Sequence, residues 1–104
     1  MNNQIPSNIK IGGRVYSVII TNHNNILNEN PDAQAYVNHQ DREIVIRDVG
    51  NIEHKKEYML HEILHALIDD TGVEFEQHKT IETIVSVLTP RLMALFKDNK
   101  DLWL

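Results

Sequence analysis

The chain has 104 residues, no cysteine, and ten basic against fifteen acidic side chains, for a formal net charge of −5. That length accommodates one modest core, and the missing cysteines exclude disulfides and thiolate metal ligands. The acidic balance, with Lys55-Lys56 as the one basic pair, argues against a nucleic-acid partner.

In chain order, the polar start MNNQIPSNIK does not resemble a secretion signal, and residues 1–8 read as a loose lead-in. Ile9 and Ile11 suggest a short strand, Gly12-Gly13 a turn, and Val15 to Ile20 a β-branched strand. Residues 22–33 are rich in Asn and read as a loop, in which His23 is expected to be solvated. Ala35–Asn38 and Glu43–Arg47 read as a hairpin turning through residues 39–42. In its second strand Ile44 and Ile46 share one face while Glu43, Val45 and Arg47 share the other, which predicts one buried side.

From Glu53 the period changes. Met59, Leu60, Ile63, Leu64, Leu67 and Ile68 recur at steps of three and four, predicting a helix that stops at Thr71-Gly72. Ile81, Ile84, Val85, Leu88, Leu92, Leu95 and Phe96 repeat the pattern, with Thr89-Pro90 as either a kink or the start of a further helix. The apolar end Leu102-Trp103-Leu104 is expected to fold back on the core. Strands followed by helices predict a single α+β domain over residues 1–104: a small, mostly antiparallel sheet followed by two long helices packed on one sheet face. No apolar run approaches the roughly 18 residues of a membrane span, so the expectation is a cytoplasmic protein without a membrane partner. A monomer is slightly favoured.

The first long helix carries HEILH, residues 61–65. Residues i and i+4 of a helix lie about 40° apart around the axis and about 6 Å apart along it, so His61 and His65 can reach one ion. Glu62 lies about 100° further round, beside such an ion rather than on it. That is where a general base must sit to activate water and protonate a leaving amine. Two histidines on one helix also arise without any metal. The motif's helical setting, the preceding strands as a second cleft wall and the further ligand types downstream favour the metal reading.

HEILHALIDDTG resembles the active-site helix of the zincin metallopeptidases, particularly the gluzincin branch, and the whole arrangement is similar to the very small zincin-like proteins of phage and prophage genomes, distantly to ImmA/IrrE-type peptidases. The resemblance implies a minimal zincin-like domain, bound Zn2+ and a peptide or protein substrate. It covers residues 9–100 in organisation, with about 25 residues carrying recognisable letters, and the second-helix pattern is Glu82-Thr83-Ile84-Val85. It also implies a glutamate as third ligand, and Glu82, seventeen residues after His65, has a gluzincin-like spacing. His78, one helical turn earlier, is the alternative third ligand, and Asp69 is a further one on the first helix itself. Where many gluzincins have an acidic residue four positions after the ligand glutamate, this chain has Ser86.

Tyr36, His39, His54 and Tyr58 are available to hold a developing oxyanion, although strand packing for Tyr36 and a half-buried aromatic for Tyr58 are the plainer roles. The resulting expectation is a zinc-dependent hydrolase, a minimal metallopeptidase with His61, His65 and Glu82 as ligands and Glu62 as base. The alternative is a catalytically weak zincin-fold zinc-binding or regulatory protein that binds a host or phage partner.

Overall fold

A computed structural model of the chain describes residues 5–22 and 34–101; His23, most of the Asn-rich stretch and Leu102-Trp103-Leu104 lie outside the described residues. Four strands precede two helices: β1 (Asn8–Ile11), β2 (Arg14–Thr21), β3 (Ala35–Asn38), β4 (Glu43–Arg47), α1 (Ile52–Thr71) and α2 (His78–Asp98). The strands form one sheet in the order β1-β2-β4-β3. Its outer pairs are antiparallel, and β2 and β4 run parallel.

The β1–β2 hairpin turns through Gly12 and Gly13 at φ 58° and 80°. Two successive left-handed residues give the turn whose twist suits a two-residue hairpin, and glycine adopts them without steric cost. The Asp70 carboxylate near the end of α1 comes up against Gly12, close to where a Cβ would stand. In the second hairpin the Asp41 N–H donates to Asn38 Oδ1 at 3.0 Å, closing the loop between the paired Asn38 and Glu43.

After β2 the chain crosses to the far edge, forms β3, and returns as β4 between β2 and β3. β4 is thus a central strand, and Ile44, Val45 and Ile46 are 0, 1 and 0 % exposed. The alternation in its sequence predicts one buried side, whereas both sides are buried. Val45 is in register with Ile19 on one neighbour and Tyr36 on the other. Cross-strand neighbours share a face, so these two side chains flank the face away from the helices.

α1 lies on the opposite face. Ile11, Tyr16, Ile44, Ile46 and Ala66 form the core cluster, with Tyr58, Met59 and Ile63 against it. Ala66 is fully buried, and its small side chain lets the helix axis approach the strands closely. Asn51 caps α1: its side chain accepts from the His54 N–H at 2.9 Å, while His54 Nδ1 stands 3.4 Å from the Asn51 N–H. This reciprocal arrangement satisfies two otherwise orphaned donors, with histidine in place of the usual Glu or Gln. The helix ends at Gly72, whose φ of 72° places it in the left-handed cap conformation expected after Thr71.

α2 packs against α1, burying Val85 and Thr89. It runs through Pro90 as one helix, so no new helix begins there. Pro90 brings no N–H to the Ser86 carbonyl one turn before it. The Thr89 hydroxyl donates to the Val85 carbonyl at 2.7 Å, so this buried polar side chain is satisfied. Among the described residues no helix is long and apolar enough to cross a membrane.

Candidate metal centre and its cleft

Residues 61–65 lie in the middle of α1, well inside both caps. His61 and His65 project from successive turns, with ring centroids 5.1 Å apart. From α2 the Glu82 carboxylate reaches both: Oε1 is 2.9 Å from His61 Nε2, and Oε2 is 2.8 Å from His65 Nε2. One donor atom from each of the three residues lies within 4.8 Å of the others. The rings can be N–H donors to the carboxylate or, with bare Nε2 lone pairs, ligands of a shared cation.

His₂Glu is a donor set suited to zinc with one position left open. Tetrahedral bonds of about 2.0–2.1 Å place neighbouring donors about 3.3 Å apart, a separation that lies within the 4.8 Å span of the three donor atoms. The residues present fit the metal.

Glu62 is 7 % exposed and accepts no hydrogen bond among the described residues. Burial, reinforced by the nearby Glu82 carboxylate, pushes its carboxyl up to about 7. Its carboxylate oxygens are not fully enclosed; they belong to a largely buried side chain that borders the cleft beside the two histidines, where losing water without gaining a partner is costly. For Glu82 itself burial acts upward, but the charges and hydrogen bonds of His61 and His65 outweigh it and hold the group below its ordinary value. His65 lies below its ordinary value chiefly through burial; His61 and His78 add to the effect and Glu82 opposes it.

The other residues singled out in the sequence are distributed around this centre. His78, the first residue of α2, stacks on His65 with centroids 6.2 Å apart and borders the cleft, but it is not part of the converging group. Asp69 is turned to His39, 3.6 Å from its Nδ1. The Ser86 hydroxyl donates to Glu82 Oε1 at 3.3 Å, so it steadies the carboxylate rather than a histidine. His54 serves the cap of α1 and stacks with Tyr58, centroids 6.5 Å apart. The phenol of Tyr36 is raised by burial and by the carboxylates of Glu43 and Asp41. Its register opposite Val45 places it on the face away from α1.

A cleft of about 810 Å3 lies between β3, α1 and α2; of these residues Tyr36, His39, Tyr58, His78 and Ser86 line it, whereas His54 and Asp69 do not. Gln34 accepts the Arg47 N–H at 2.8 Å across the antiparallel ladder. Because such pairs alternate, Ala35 and Val37 turn their own N–H and C=O toward the open edge of β3. Among the carboxylates of the cleft, Glu57 escaped the sequence reading: it lies four positions before His61 and therefore on its helical face. Extending the i, i+4 pattern back by one step finds it. Compared with protein-family models, curated proteins and solved structures, the chain matches none.

Proposed function

We propose that the protein is a minimal zinc-dependent peptidase of zincin type. The observation that carries this reading is the convergence of His61, His65 and Glu82 from two helices, with a buried and unpartnered Glu62 beside them. A structural zinc site closes around four protein ligands, whereas three donors at a cleft leave a position for substrate. A chance histidine pair gives no reason to bury Glu62 without a partner.

When bound, zinc supplies Lewis acidity toward a carbonyl oxygen and toward water. The chain's residues do the rest. An extended peptide lies along β3, where the N–H and C=O of Ala35 and Val37 can pair with it as an added strand. The Glu62 carboxylate takes a proton from the attacking water as its oxygen bonds to the scissile carbon. It then delivers that proton to the amine nitrogen as the C–N bond breaks. Ser86 holds Glu82 in its ligating orientation through the hydroxyl contact at 3.3 Å.

The test pairs metal content with turnover. After incubation with one equivalent of zinc and desalting, wild type and Glu62→Gln are each expected to keep about one zinc, and Glu82→Ala to lose it. Only wild type is expected to cleave a peptide pool. Zinc-loaded wild type that cleaves nothing, or Glu62→Gln with undiminished turnover, would overturn the proposal and favour the zinc-binding regulatory reading.

A further inference from the structure

We infer that the cleft selects peptides with a lysine or arginine one or two residues to the C-terminal side of the bond it acts on, and that the Glu57 carboxylate reads that charge. The inference rests on the peptidase reading above and supplies its substrate class. Glu57 is half-buried in the cleft wall, one turn before His61, and makes no hydrogen bond or ion pair among the described residues. Its cationic neighbours on α1 are engaged elsewhere. Lys55 Nζ lies 2.8 Å from Asp48, and Lys56 Nζ lies 3.9 Å from Glu53.

The cleft lining holds the carboxylates of Glu57, Glu62 and Glu82 and no Lys or Arg. A divalent cation balances two of those charges and leaves Glu57 as the remainder. Proline at 90 withholds the usual donor from the Ser86 carbonyl, and Ser86 and Pro90 both border the cleft. The α2 wall of the cleft therefore holds a carbonyl that lacks this helical donor, while Glu57 belongs to the α1 wall. A carboxylate with a carbonyl acceptor suits a group rich in N–H donors and positively charged.

The topology sets which side of the scissile bond this is. Gln34, just before β3, bonds to Arg47, and the adjacent Asp48 pairs with Lys55 near the start of α1. His39, just after β3, pairs with Asp69 near the end of α1. β3 therefore runs alongside α1 in the same direction, from the level of Glu57 toward that of His65 and beyond. A peptide added antiparallel to β3 runs the other way, and its C-terminal part passes Glu57. One helical turn is about 5.4 Å and an extended peptide advances about 3.3 Å per residue, so the charged side chain falls one or two residues past the scissile bond.

The experiment has two arms. In the first, zinc-loaded wild type, Glu57→Gln and Glu57→Lys digest a sequence-diverse peptide pool, and mass spectrometry maps the cut sites. Lys and Arg should be enriched at the first or second position after the cut for wild type, unenriched for Glu57→Gln, and replaced by Asp and Glu for Glu57→Lys. In the second, zinc-loaded Glu62→Gln binds labelled peptides that differ only by Lys or Glu at those positions, followed by fluorescence anisotropy. The Lys peptide should bind roughly five- to tenfold tighter, and the difference should vanish when Glu57→Gln is added. Cleavage without a cationic preference, or with the same preference in Glu57→Lys, sinks the inference and leaves the peptidase reading intact. Charge-selective binding with no cleavage by wild type does the reverse. Neither cleavage nor charge-selective binding overturns both.

Discussion

α1 meets the sheet and α2 through interfaces of different chemistry. Toward the sheet it presents Met59, Ile63 and Ala66 to Ile11, Tyr16, Ile44 and Ile46, a contact made almost wholly of apolar side chains. Toward α2, only Val85 and Thr89 are buried on the partner helix, and the polar bridge from His61 and His65 to Glu82 crosses the same junction. The first interface depends on area removed from water and needs no ligand. The second leaves histidines and a carboxylate partly desolvated, an arrangement whose stability depends on what those groups share. The sheet side makes the scaffold, while on the proposed reading the α2 side is where ligand binding and stability are linked.

The largest effect expected is on the sheet side. Ile44→Ala should cost about 2–5 kcal/mol, because the surrounding strands cannot collapse into the space left behind. Denaturant unfolding measures it, and a loss below 1 kcal/mol would mean that the scaffold does not rest on β4. On the α2 side, Glu62→Gln should lower peptide turnover by about 10²–10⁴-fold while zinc content stays near one. Its stability should equal or exceed that of wild type, since an unpartnered buried carboxylate is removed.

A third experiment separates the two interfaces directly. On the proposed reading, zinc at a hundredfold excess over its Kd stabilises the fold by about 2.7 kcal/mol. Thermal unfolding should show this in wild type and not in Glu82→Ala. Hydrogen exchange should slow mainly in the middle of α1 and the first half of α2; uniform slowing through β2 and β4 would contradict the division drawn here. The smallest effect concerns a cap outside both interfaces. Gly72→Ala should cost about 1 kcal/mol, from forcing a Cβ into the left-handed region at φ 72°, and should leave zinc binding unchanged.

Local sequence patterns anticipated much of this architecture for a physical reason: the features involved are decided within a few residues. The Gly12-Gly13 turn, the hairpin around residues 39–42 and the stop at Thr71-Gly72 depend on backbone preferences of neighbouring residues, and all three occur where expected. The pairing of His61 with His65 on one helical face follows from the pitch of any α-helix. The apolar period likewise marked α2, although Pro90 left its continuity open; the helix runs through Pro90 unbroken.

What the sequence by itself determined, then, is the order of elements, the α+β class and the two histidines with Glu62 beside them, because helix pitch and strand alternation are local rules. Only the tertiary structure decided the rest. Whether Glu82 or His78 stands opposite the histidines depends on the rotation and crossing of α2 on α1, where Val85 and Thr89 are the residues α2 buries. The place of β4 beside β2, the burial of Val45 and the exposure of the β3 edge to the cleft depend on long-range pairing of the same kind. That Glu57 has no partner among the described residues has the same origin, since the nearby Lys55 and Lys56 pair with Asp48 and Glu53.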